Sequence, residues 1–359
     1  MKILFYSIIK DKTEKTNRLI QRIRSLGHTL FTYNAYEDRE DLFRLNNRHF
    51  QMYEKVLNNA EDLEVDLIYF NDYLNIPEYL LSEFKVRPDY KPKIVFPFQF
   101  RELNRSLARA TALKDLIDMP QVARGFTFNM SLPRPTFPKN FIKAQFNMSK
   151  VKLIKEPRGE NLPSITITKE EARKKFKIPQ DKFVVLYSGR WIYVKGSDIF
   201  AEAIKNIDKD IFVLIHRDPN ENDLDPNILN EVKKRKNLKV ITGYLKEGEM
   251  SYLYKTADLV VASHRKMYEF SQSGIPVMAS LAKVPLLAPN FSYFNDIIDT
   301  YRTGIKFTPE SSQALAEGIN FMKNNEDLHR RIRALGNFDG LINSYIDFID
   351  VPKFALEDL

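Results

Sequence analysis

The sequence predicts an α/β protein of two doubly wound parallel sheets facing across a cleft. Three observations predict it. Short apolar runs alternate with amphipathic stretches of helical spacing along most of the chain, and repeated units of that kind require parallel crossovers. At 359 residues the chain is too long for one ordinary core and suits two Rossmann-like domains of similar size. A stretch rich in proline and charge, residues 131–165, lies between the two alternating halves.

In the first half, Lys2–Ile8 reads as a strand. Thr16–Leu26 reads as a helix with Leu19, Ile20, Ile23 and Leu26 on one face and Gly27 as its stop. A second strand ends at Tyr33, a polar helix-rich region runs from Glu37 to Glu61, and Val65–Phe70 and Ile94–Phe98 are further strands. Ligands of such sheets bind beyond the carboxyl ends of the strands, which makes Asn71, Asp72, Gln99 and Arg101 candidates. Ordinary loop polarity explains the same residues equally well. The domain boundaries expected are 1–163, 164–337 and a closing segment 338–359.

The second half alternates more regularly. Thr168-Lys-Glu-Glu171 is a capping box opening a helix over Lys169–Phe176. Strand Phe183–Tyr187, helix Asp198–Ile207, strand Ile211–Ile215, helix Asn227–Arg235, strand Leu238–Thr242, helix Glu249–Thr256 and strand Leu259–Ala262 follow. Strand Val284–Ala288 precedes a helix over Pro309–Lys323, with Thr308 as N-cap and proline at its first position. The closing segment carries Leu341, Ile342, Tyr345, Ile346, Phe348 and Ile349.

One stretch, Phe183–Ser197, carries the chemistry. A buried strand ends at Ser188-Gly189, and a turn leads into a helix with Arg190 and Lys195 at its mouth. Two cations beyond a strand end can hold an anionic ligand, each phosphate contact contributing roughly 1.5–3 kcal/mol where water is largely excluded. Two solvated cations on an ordinary loop are the plain alternative.

Bulk properties set limits. No apolar run approaches the ~20 residues that span a bilayer. The absence of cysteine excludes disulfides and thiolate metal sites and fits a cytoplasmic location. A net charge of +8 favours anionic partners, although no run of Lys or Arg marks a duplex-binding stripe, so nucleic acid is not expected. The five histidines form no triad or His-x-x-x-His spacing, and no acidic metal cluster is present, so no metal or other cofactor is expected. Arg101–Arg109 is basic and amphipathic enough to touch an anionic membrane at the inner face, though a solvated helix face is the simpler reading.

The pieces Ala172–Arg190, Lys195-Gly196, Ile241-Thr-Gly-Tyr244, Tyr254–Asp258, Ser273–Val277, Val284–Pro289, Phe294–Ile298 and Thr303–Phe307 come in a telling order. Over about residues 170–325 the sequence resembles the retaining glycosyltransferases of family 4, which have the GT-B fold. The N-terminal half is similar only in strand–helix layout. It has Ile9-Lys-Asp-Lys-Thr13 where the family often has a glycine-rich turn.

The resemblance implies a sugar nucleotide donor, held mainly by the C-terminal domain, and a glycan or lipid-linked acceptor on the N-terminal side. It implies that Arg190 and Lys195 hold the donor diphosphate, and fixed cations there would stabilise the charge gained by the leaving group. Gly189 belongs to the same turn. Glu269 aligns with a family glutamate near the donor sugar, while the family's second glutamate falls near Val277 or Met278. The backbone amides of Ser273, Gly274 and Ile275 would meet the diphosphate at a helix N-terminus. Gly243, Tyr244 and Leu245 would cradle the nucleobase, and Arg217 would add a phosphate or base contact. Asn71, Asp72, Gln99 and Arg101 fall on the acceptor side, without the histidine sometimes found there. Family members send the last helix back to the N-terminal domain, which the apolar tail suits.

The function expected is therefore metal-independent transfer of a hexose-type sugar from a nucleoside diphosphate to a hydroxyl, with retention. A sugar-nucleotide epimerase of the same fold, a non-catalytic nucleotide-sugar-binding module and, more remotely, a DNA-modifying glycosyltransferase are the rivals.

Overall fold

Two sheets of six parallel strands organise the protein. The computed structural model describes residues 1–7, 14–34, 48–71, 77–98, 107–129, 146–155, 157–158, 165–217, 226–245, 248–268, 273–347 and 350–359. These divide into two units: one takes the residues up to Pro157 together with Ile346–Leu359, the other those from Arg158 to Tyr345.

The first unit contains β1 (Lys2–Ser7), β2 (Thr29–Asn34), β3 (Leu67–Phe70), β4 (Lys93–Pro97), β5 (Val122–Asn129) and β6 (Val151–Lys155), ordered β2-β1-β3-β4-β5-β6. The chain moves outward from β1 to β2 and restarts on the other side at β3, so strand direction of travel switches between β1 and β3. Strands covered on both faces read as unbroken apolar runs, and β3 is buried at all four positions. Two strands depart from expectation. β5 carries Arg124 and Gly125 in its interior, and β6 lies inside the stretch read as an interdomain junction. Pairing with β5 decides β6, whose Val151 and Ile154 supply the buried side chains. The division between units falls at Pro157, within a short strand β7 (Pro157–Arg158), and not after Pro163.

The closing segment divides as well. The helix Phe338–Asn343 stays with the second unit, where Phe338 is part of the core. The helix Val351–Leu356 joins the first unit and buries Val351, Ala355 and Leu356 against Leu19, Ile23 and Ile154. Polar contacts fix it there: Arg22 Nη2 meets Asp350 Oδ1 at 2.8 Å, and Arg124 Nη1 donates to the Ala355 carbonyl at 3.0 Å.

The second unit contains β8 (Val184–Ser188), β9 (Phe212–Arg217), β10 (Leu238–Thr242), β11 (Leu259–Val261), β12 (Leu286–Pro289) and β13 (Gly304–Phe307), ordered β10-β9-β8-β11-β12-β13. Its switch lies between β8 and β11. Separate apolar clusters cover the two faces, one around Phe200, Val213 and Ile319, the other around Leu214, Val260 and Phe294.

Local signals account for several boundaries. The capping box forms, with Glu171 N–H on Thr168 Oγ1 at 3.2 Å and Thr168 N–H on Glu171 Oε2 at 2.7 Å. Asp258, at the amino end of β11, ties that helix to the sheet: it accepts from Arg173 Nη2 at 2.6 Å, from Val184 N–H at 2.7 Å and from Lys169. The helix expected from Pro309 starts instead at Ser312. Its cap is Ser311, whose Oγ accepts from Ala314 N–H at 3.0 Å, because Glu310 sits at φ 61° and cannot continue a helix.

Candidate functional site

The carboxyl ends of β8 and β11 meet where the second sheet switches direction, the place where open α/β sheets leave a crevice for ligands. The turn after β8 is built from both sides. Tyr187 stacks on Phe200 at 5.0 Å and meets Trp191 edge-on at 5.4 Å. Burial holds the Tyr187 phenol protonated, and its hydroxyl donates to the Arg190 carbonyl at 3.1 Å and lies 2.6 Å from Ser197 Oγ. Ser197 Oγ also accepts from Ile192 N–H at 3.0 Å. These contacts fix the main chain on either side of Arg190, whose side chain is exposed.

Residues Tyr193–Lys195 form one turn of 3-10 helix, closed by Gly196 at φ 65°. The loop after β11 presses against this turn so closely that a Cβ on Gly196 would lie 2.0 Å from the Ser263 carbonyl oxygen. Three consecutive residues of that loop then hold the turn. Ser263 Oγ lies 3.0 and 2.8 Å from the carbonyls of Lys195 and Gly196, which share its single proton. His264, 1% exposed, has Nε2 at 2.9 Å from Lys195 Nζ. Arg265 pairs with Asp198, lies over the Tyr193 ring at 3.8 Å and donates its N–H to the Val194 carbonyl at 3.2 Å. Burial first, and the Lys195 charge second, hold the His264 pKa well below the ordinary imidazole value.

A second chain of contacts crosses β8, β9 and β10. His216 Nε2 lies 3.0 Å from the Gly243 carbonyl, which only accepts, so this nitrogen carries the proton. Its Nδ1 lies 3.1 Å from Ser188 Oγ, and Gly189 N–H donates to the His216 carbonyl at 3.1 Å. Buried His216, in β9, therefore links Gly189 to Gly243, two of the expected donor residues. Arg217 closes β9 and accepts from Gly243 N–H at 3.1 Å through its carbonyl. Tyr244 is 79% exposed, whereas Leu245 packs against the core.

Ser273, Gly274 and Ile275 open the helix Ile275–Leu281. Two of the three amides expected to face a diphosphate have partners within the protein. Ser273 N–H donates to Tyr293 Oη at 3.3 Å, and Ile275 N–H to Ser273 Oγ at 3.4 Å. In the first unit, half-buried Asn71 follows β3, beside the switch between β1 and β3, and its N–H donates to the Tyr6 carbonyl at 2.9 Å. Asp72, Gln99, Arg101 and Glu269 lie outside the described residues. Among the described residues no group of His, Asp and Glu is arranged to hold a metal ion, and no helix is long and apolar enough to cross a membrane.

Sequence reading missed Ser263, His264 and Arg265. Nothing in their spacing from Lys195 announces contact, because it is the strand order that brings the loop after β11 beside the turn after β8.

Residues 168–336 match the family model described as Glycosyl transferases group 1. Solved structures share the fold of the described residues. Anabaena Alr3699/HepE in complex with UDP-glucose is 17% identical, with 99% of this chain and 98% of that one covered at a TM-score of 0.70. Sucrose-phosphate synthase from Thermosynechococcus elongatus is 14% identical, with 99% and 97% covered at 0.71. A glycosyltransferase from Rickettsia africae is 15% identical, with 100% and 99% covered at 0.67. The two units of six parallel strands are those of the GT-B fold. Among curated proteins none matches the sequence.

Proposed function

We propose that the protein transfers a sugar from a nucleoside diphosphate sugar to a hydroxyl acceptor, with retention of anomeric configuration and without a metal ion, as in family 4. The observation that carries this reading is the position of Lys195: its turn is clamped to the loop after β11 at the switch point of the domain that matches group 1 glycosyltransferases. Arg190, on the same turn, is the second cation. As the bond from the anomeric carbon to the phosphate oxygen breaks, the diphosphate gains negative charge, and preorganised cations stabilise it more than they stabilise the bound donor. The acceptor oxygen bonds to the anomeric carbon on the face the diphosphate leaves, and its proton passes to the departing phosphate oxygen.

Gly243 and Tyr244 are assigned to the base, and the first unit to the acceptor, a glycan or lipid-linked glycan. UDP-sugars are the first donors to test, because the structurally similar Alr3699/HepE is solved with UDP-glucose. The test is release of nucleoside diphosphate from labelled donors, with and without acceptor extracts, for the full chain, Arg190→Ala and Lys195→Ala. Acceptor-dependent release, lowered in each variant by about a hundredfold or more, is expected. Unchanged kinetics in either variant would remove the assignment. Turnover of donor without any acceptor would favour an epimerase.

A further inference from the structure

We propose that His264 is a positioning residue that aims the Lys195 ammonium at the donor diphosphate; this rests on the role given to Lys195 above. An ammonium only donates, so the contact at 2.9 Å requires a lone pair on His264 Nε2 and places the imidazole proton on Nδ1. Protonating the ring would set two cations side by side in a buried place. The ring is therefore a neutral acceptor, and it is held edge-on to Phe294 at 5.3 Å.

Neutrality matters for the chemistry. A carboxylate in this position would orient the lysine equally well but cancel the charge the diphosphate needs. An imidazole takes one of the three ammonium donors and leaves the positive charge intact. Lysine also carries a long flexible stem, and a side chain immobilised before the ligand arrives loses less freedom on binding. The neighbouring residue strengthens the case: Ser263 fixes the backbone of Lys195 and Gly196 while His264 fixes the side-chain tip, so adjacent residues hold both ends of one lysine.

The experiment measures affinity for whichever of UDP, GDP and ADP binds tightest, and kcat and KM, on the full chain. The variants are Lys195→Ala, His264→Leu, His264→Gln and the double variant His264→Leu with Lys195→Ala. Leucine fills the space without an acceptor, and glutamine offers an amide oxygen near the place of Nε2. His264→Leu is expected to weaken the diphosphate about tenfold to a hundredfold, His264→Gln to recover most of that loss, and His264→Leu to add little once Lys195 is alanine. Equal losses in both backgrounds, or an unchanged His264→Leu, would overturn the proposal while leaving Lys195 in place. A Lys195→Ala chain that binds as wild type would overturn the reading of Lys195, and the proposal with it. Nitrogen-15 spectra of the wild-type imidazole need no variant to fold: a proton on Nδ1 is expected, with the Nε2 signal moving when the nucleotide binds, and a proton on Nε2 would refute the contact.

Discussion

Replacing Gly196 by alanine tests whether the clamp between the two loops makes the site. Its φ of 65° lies in the left-handed region, which costs an L-residue roughly 1–2 kcal/mol. The added Cβ would also lie 2.0 Å from the Ser263 carbonyl oxygen, which is backbone and cannot rotate away. Together these should cost about 2–4 kcal/mol, or roughly 4–16 °C in thermal midpoint for a unit of this size. Relief would come from separating the turn from the loop after β11, which moves Ser263 and His264 off Lys195. Nucleoside diphosphate affinity per folded molecule is therefore expected to fall at least tenfold. Trp191, the single tryptophan and 2% exposed, reports the same event by a red shift of its emission. Gly304→Ala is the control, since its Cβ would lie 1.9 Å from the Leu286 carbonyl oxygen, on the edge strand β13 and away from the turn. It should destabilise similarly and bind nucleotide normally once folded. Equal binding losses in the two variants, or a Gly196→Ala protein with wild-type midpoint and affinity, would refute the clamp.

Two more outcomes follow from the far side of the second sheet. Asp258→Asn strips the carboxylate from Arg173 and Lys169, whose side chains are only 5% and 19% exposed, so urea unfolding should show a loss of about 2–4 kcal/mol. Its nucleotide affinity should not change, because Asp258 lies at the opposite end of β11 from His264. His329 donates to the Asp258 carbonyl at 2.8 Å, and burial, the largest cause, lowers its pKa below 6.5. The unfolded imidazole then binds the proton more readily, so this contribution is complete above the unfolded value and is lost as pH falls through it toward the folded one. Thermal midpoints should drop between pH values of about 7.5 and 5.5, and the drop should be smaller in His329→Gln.

The sequence made most of the second unit legible because β8, β11 and β12 are unbroken buried apolar runs and the helix Lys169–Phe176 carries its own capping box. Lys169–Phe176 and Leu238–Thr242 take the bounds expected of them. The first unit was harder. β5 breaks its apolar run with Arg124, which reaches out to the carbonyls of Ala355 and Glu357, a partner no local pattern reveals. The site shows the same limit. Arg190 and Lys195 follow a readable strand and turn, but His216 and His264 gain their roles from neighbours brought together by strand order, and an isolated histidine in a loop-like stretch carries no trace of that.

The discontinuity of the first unit has a consequence for how the protein is made. Asp350 meets an arginine 328 positions earlier, so the helix that covers Leu19 and Ile23 leaves the ribosome long after the sheet it belongs to. The cores of the residues from Arg158 to Tyr345 draw on no side chain of that late helix. The amino-terminal sheet must wait with an apolar face uncovered, and a nascent chain stalled before Val351 should be the form that chaperones bind and proteases cut.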